Sequence, residues 1–254
     1  MTTPAQLTLS LTTLGLPTPH PLFIQPIITP GPSNRLPPLQ ALTATAKHRL
    51  LASDLTSPNI LDPSKNLCLP PNVTDAKITC RLLSGDVCVQ VLEIEDVGRS
   101  KWEQIELLEM ERKGETVKGR EVIRTIPALP DGEAPSSAST QALGTQAAPA
   151  PKVGGPYKLL LQDLKGQKVY GFELSKVDKI GYPPMMGIGA KIMLKKGAKV
   201  ARGMVLLEPR SVMVLGGRIE GLDKGWREGR EKALRDAVER DRADGNGDAM
   251  EIDG

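Results

Sequence analysis

Between Tyr157 and Leu215, short alternating or β-branched apolar runs are interrupted every few residues by glycine-bearing turns. This punctuation restricts the fold more than any other feature of the chain. Tyr157, Leu159 and Leu161 alternate with Lys158, Leu160 and Gln162, and the turn Asp163-Leu164-Lys165-Gly166 follows. Tyr170, Phe172 and Leu174 then alternate again, which predicts a hairpin whose second strand turns those side chains into the core. Ile192–Leu194, Gly203–Leu207 and Val212–Leu215 read as further strands, with turns at Lys196-Gly197-Ala198 and Glu208-Pro209-Arg210. Short strands joined by tight turns predict a mainly β domain, a small closed barrel.

The β pattern begins earlier, with Ile78, Cys80 and Leu82 and, after Ser84-Gly85-Asp86, the run Val87–Ile94. The pattern changes after this run. Ser100, with Glu103 three residues on, predicts a capped helix carrying Ile105, Leu108 and Met110 and stopping at Lys113-Gly114. Residues 121–126 read as a strand. Residues 127–156 are Pro, Ala, Ser, Thr, Gln and Gly, too small-sided and polar to offset their ordering entropy. A low-complexity loop inside a compact domain is usually functional or a linker, so this is the first place to look for an interaction.

On the amino-terminal side, Leu42, Ala46, Leu50 and Leu51 share one helical face, predicting a short helical element within 41–75 that Ser57-Pro58 ends. Residues 1–40 hold nine prolines and one charged residue, which predicts an irregular, disordered segment. A helix is expected over 218–243. Leu222, Trp226, Leu234 and Val238 supply its apolar positions, and Glu228→Lys232, Glu231→Arg235 and Asp236→Arg240 its supporting pairs. An acidic, frayed tail is expected over 244–254.

Several function classes fall away. No apolar run approaches a membrane span, and the absence of Lys or Arg before Arg35 argues against a signal or transit peptide. Cys68, Cys80 and Cys88 lack C-x-x-C spacing, so reduced thiols are expected, with no disulfide framework and no zinc site. The two histidines, His20 and His48, sit in the Pro-rich segment and between Lys47 and Arg49, and both read as surface residues. Neither a nucleophile–base pair nor a split carboxylate pair is evident, so no catalytic activity, cofactor or small-molecule site is expected. Gly187-Ile188-Gly189-Ala190-Lys191 lacks the second half of a phosphate loop and precedes a strand, so it reads as a turn. Residues 157–217 carry eleven Lys or Arg against four Asp or Glu, an excess that allows phosphate contact. Lys195, Lys196, Lys199 and Arg202 are the candidates for a weak nucleic-acid contact. With Tyr170 and Phe172 assigned to the core, few aromatics remain for base stacking.

Two blocks resemble the fungal RecQ-mediated genome instability proteins. One runs Gln90-Val91-Leu92-Glu93-Ile94-Glu95-Asp96-Val97-Gly98-Arg99-Ser100 and continues through Lys118-Gly119-Arg120-Glu121-Val122-Ile123. The other is Gly189–Leu194, then Gly203-Met204-Val205-Leu206-Leu207-Glu208-Pro209 and Val214-Leu215-Gly216-Gly217. Leu50-Leu51-Ala52-Ser53-Asp54-Leu55 is similar to the close of that family's helical element. The resemblance implies a non-catalytic, nuclear OB-fold subunit that binds topoisomerase III and, with it, a RecQ-type helicase. It also implies a role in dissolving double Holliday junctions, and a barrel over 78–217 with an insertion at about 98–156 that reaches the topoisomerase gate. Trp102, Ile126 and Leu129 are the apolar candidates for that contact, although Trp102 equally reads as packing on the barrel. The resemblance implies that Lys191, at a strand start, lies at the partner interface; it also reads as a solvated strand lysine. The family begins with a helical bundle that the Pro-rich residues 1–40 are not expected to supply. The rival reading is an autonomous single-stranded nucleic-acid-binding module.

Overall fold

The structure, a computed structural model, describes residues 3–29, 37–113, 115–118, 121–124 and 154–247; for 115–118, 121–124 and 244–247 only the backbone is described. The chain divides into two compact units, residues 1–98 with 154–229 and residues 99–153 with 230–254.

The first unit opens with three helices, α1 (Pro4–Thr13), α2 (Pro21–Ile28) and α3 (Leu39–Ala52). The first two overturn the expectation of an irregular segment over 1–40. Proline position explains it: Pro4 and Pro21 stand in the first helical turn, where the missing N–H is no loss. Thr3 and Gln6 form a capping box on α1, and His20 Nδ1 accepts from the Leu22 N–H to cap α2. Pro26 inside α2 forgoes one helical hydrogen bond, but Ile24 and Ile27 are buried beside it. Leu7, Leu11, Ile24, Leu42, Ala46 and Leu50 form the helical core, so all four residues expected on the buried face of α3 point inward.

The strands of this unit are β1 (Arg81–Leu82), β2 (Val87–Asp96), β5 (Tyr157–Asp163), β6 (Lys168–Glu173), β7 (Lys191–Leu194), β8 (Lys199–Ala201), β9 (Met204–Leu207) and β10 (Val212–Gly216). They lie in the order β1-β8-β9-β6-β5-β2-β7-β10, antiparallel except for the β6–β9 pair. The β architecture is as expected; closure is not. Among the described residues the sheet is open and curled, with β10 bonded to β7 and β9 to β6. Between β9 and β10 the chain turns at Glu208–Ser211, where Pro209 offers no N–H to continue a ladder and Ser211 N–H donates to the Glu208 carbonyl.

The inner face carries Val87, Val89, Val91, Leu159, Leu161, Val169, Ile192, Leu194, Val205 and Leu207. The outer face of β2 and β7 contributes Cys88 and Met193 to the helical core, so the helices cover that side. On β6 the prediction is reversed. Val169, Gly171 and Glu173 point inward, while Tyr170 and Leu174 are 43% and 54% exposed. Gly171 has to face the core: a Cβ there would sit 2.9 Å from Leu161 Cδ1 and 3.1 Å from Leu207 Cδ1. Glu173 is buried because its carboxylate accepts from the Tyr157 and Val177 N–H groups.

The second unit contains α4 (Lys101–Arg112), the hairpin β3 (Glu115–Lys118) and β4 (Glu121–Arg124), and the distal part of α5 (Glu220–Gly247). Ser100 Oγ accepts from the Glu103 N–H, as the spacing predicts. Lys101 pairs with Asp241, Arg112 with Glu231, and Arg235 with both Glu109 and Glu231. Of the three expected pairs along α5, only Glu231–Arg235 forms as written. Glu228 pairs with Lys224, and Arg240 donates to the Asp236 carbonyl. The helix runs beyond the expected 243. Residues 125–153 and 248–254, which include most of the low-complexity loop and of the acidic tail, lie outside the described residues.

Candidate partner interface

The insertion leaves the sheet after β2 and returns at β5, and its two feet are fastened together. Asp96 Oδ1 accepts from the N–H groups of Gly98 at 3.0 Å and Gly155 at 3.1 Å. Val97 N–H donates to the Pro156 carbonyl, and Asp96 N–H donates to Tyr182 Oη. The approach is close enough to require glycine, since a Cβ at Gly98 would lie 2.1 Å from the Gly155 oxygen. Tyr182 in turn packs edge-on to Tyr157 and lies 6.0 Å, ring centre to ring centre, from Trp226 of α5. These contacts fix where the insertion starts and ends, whatever its length.

Of the residues expected in the insertion contact, Trp102 is about half exposed, with the Arg242 guanidinium 5.3 Å from its ring centre. Ile126 and Leu129 lie outside the described residues. Lys191 is corrected: fully buried, it neither faces a partner nor stands in solvent as a strand lysine. It points to the helix-covered face, where its Nζ donates to the Gly189 carbonyl at 2.6 Å.

Lys191 lies in a buried polar joint between sheet and helices that sequence reasoning missed. Gln90 Oε1 accepts from the Leu55 N–H, while its Nε2 donates to Asp54 Oδ1 and Gln162 Oε1. Burial pulls the Asp54 carboxyl upward, but hydrogen bonds from Thr56 and Gln90 and the charge of Lys191 outweigh it and hold that carboxyl below its usual range. Burial lowers Lys191 to about 8 against the opposing influence of Cys88 and Asp54, and pushes the Cys88 thiol up to about 12. The signal was present: Asp54 sits in the Leu50–Leu55 block and Gln90 opens the first long block, but spacing alone does not bring them together.

Of the four basic residues expected to touch nucleic acid, Lys195 and Lys199 have their ammonium groups paired with carboxylates, while Lys196 and Arg202 are exposed. Lys195 pairs with Asp86, whose other oxygen accepts from the Lys196 N–H, and Lys199 lies 3.8 Å from Glu208. Arg202 is exposed in the β8–β9 turn. His20 serves as a helix cap and His48 is exposed. No group of three or more His, Cys, Asp or Glu among the described residues is placed to hold a metal, and no described helix is long and apolar enough to cross a membrane.

Comparison with known proteins agrees with this architecture. The family model described as "RMI1, N-terminal OB-fold domain" matches residues 69–230, and "RMI1, N-terminal helical domain" matches residues 27–58. The chain is 25% identical over 187 residues to RecQ-mediated genome instability protein 1 of Schizosaccharomyces pombe, covering 72% of this chain and 77% of that protein.

Proposed function

The chain belongs to the RMI1 family, and from that premise we propose that it is a non-catalytic nuclear subunit of a RecQ helicase–topoisomerase III complex. It binds the topoisomerase and promotes dissolution of recombination intermediates such as double Holliday junctions. The observation that carries this reading is the insertion between β2 and β5, whose feet are fastened together at Asp96. Such a segment acts on a gate by binding one of its states better. A tenfold preference corresponds to about 1.4 kcal/mol, enough to shift an open–closed equilibrium without chemistry of its own. Trp102, Ile126 and Leu129 are the proposed apolar contacts.

Replacing residues 128–153 by a short Gly-Ser linker keeps Gly155 on Asp96. The variant should melt as the full chain does yet lose most of its stimulation of decatenation by topoisomerase III. Undiminished stimulation would exclude the gate role.

One observation favours the rival nucleic-acid reading: Tyr170 stands on the outer face beside Phe172, with Lys158 4.5 Å from its ring centre. Lys158 is also paired with Glu95, which reduces its availability to phosphate. Fluorescence titration with oligo(dT) at low and high salt separates the readings, since autonomous binding demands saturation at low salt and a steep loss as salt rises.

A further inference from the structure

Two parts of the second resembling block, at the start of β7 and the end of β10, meet at a hollow of about 420 Å³ in the first unit, distinct from the feet of the insertion. Gly187 and Ala190 come from the segment before β7, and Val214, Gly216 and Gly217 from the end of β10. Its apolar lining is completed by Pro184, Met185 and Met186, and its cationic lining by Lys179, Arg218 and Arg227; among the described residues no carboxylate and no aromatic ring lines it, the buried Asp223 lying behind Gly187 and Arg227. The volume is in the range of side-chain and small-ligand pockets.

The three cations differ in how firmly they are engaged. Arg227 is held 2.7 Å from Asp223, which is itself buried and accepts from the Ile188 N–H. Arg218 lies 3.3 Å from Glu220, but both side chains are largely exposed, at 56% and 87%, so this pair exchanges readily for another carboxylate. Lys179 pairs with no carboxylate among the described residues. Met185 is 64% exposed, and its unbranched thioether adapts to an incoming apolar group. A Cβ at Gly216 would meet nothing within 4 Å, so that side of the hollow is open.

We propose that this hollow docks an acidic peptide segment of a partner protein, with one apolar side chain against Met185, Met186 and Val214 and flanking carboxylates on Lys179 and Arg218. The charge selects an anion, and the methionine-lined interior selects an aliphatic group between the anions. A nucleic-acid strand fits less well, because its bases want aromatic platforms and none lines this site.

The test uses the full chain and fluorescein-labelled 14-residue peptides carrying one central Leu, Met or Phe between runs of Asp and Glu. Fluorescence anisotropy at low salt should show saturable binding. Lys179→Glu with Arg218→Glu should weaken it at least tenfold, Arg218→Lys should largely retain it, and Lys168→Glu with Lys176→Glu should leave it unchanged. Exchanging the central residue for Ser should also weaken binding severalfold, which a purely electrostatic contact would not show. The proposal is overturned if none of the peptides binds the wild-type chain, or if the Lys168/Lys176 control loses as much. It is equally overturned if oligo(dT) of the same length displaces the peptide at equal concentration. Unchanged melting temperatures in all variants keep a folding defect from imitating the expected result.

Discussion

Lys191 and Cys88 occupy paired strands, are both shielded from water, and titrate in opposite senses. In the folded chain Lys191 releases its proton at about 8 instead of the ordinary 10.5. Between those values the unfolded chain still holds the proton, so stability rises with pH at up to about 1.4 kcal/mol per unit. Cys88 ionises at about 12 in the folded chain but at the ordinary 9.0 when unfolded, so above that value it removes stability at a similar slope. The urea midpoint should therefore climb from pH 8 to 9, level off, and then fall. Lys191→Met should lack the climb, and identical pH curves for the two proteins would contradict a buried amine. At the foot of the insertion, Gly98→Ala places a methyl against the Gly155 carbonyl and should cost about 1–3 kcal/mol by thermal denaturation. The sequence placed Lys191 at a strand start correctly. It could not say which face the helices would cover, and that alone decides whether the amine meets water.

Among the elements, the joint between α3 and the sheet rests on Gln90, which satisfies the Leu55 N–H and two side chains at once. Gln90→Leu leaves that buried donor without its acceptor and should lower the unfolding free energy by about 1–3 kcal/mol in urea titrations. Strands β5, β7, β9 and β10 were legible because alternation and turn chemistry agreed with the tertiary outcome. Helices α1 and α2 were not, because counting prolines discards their position: at a helix start proline is an asset. The facing of β6 was misread for a related reason. Its apolar alternation pointed one way, while Gly171 was required by close packing and Glu173 by two backbone donors. A hydrophobic pattern registers neither requirement.

For the molecule as a whole, part of the basic excess over residues 157–217 is answered by acids elsewhere in the chain, as with Lys158 and Glu95 and with Lys195 and Asp86. Net charge along a sequence does not show such pairing. Asp86→Asn, which frees the Lys195 ammonium beside the already exposed Lys196, should raise oligonucleotide affinity at low salt and steepen its salt dependence, read by anisotropy. No change would remove these lysines from any nucleic-acid contact. The Asp96 clasp has a different consequence. With both ends of the intervening chain tied at one carboxylate, doubling its length costs only about 0.6 kcal/mol in closure entropy. The sheet thus offers a socket that admits cassettes of unequal size without renegotiating how its own strands fold.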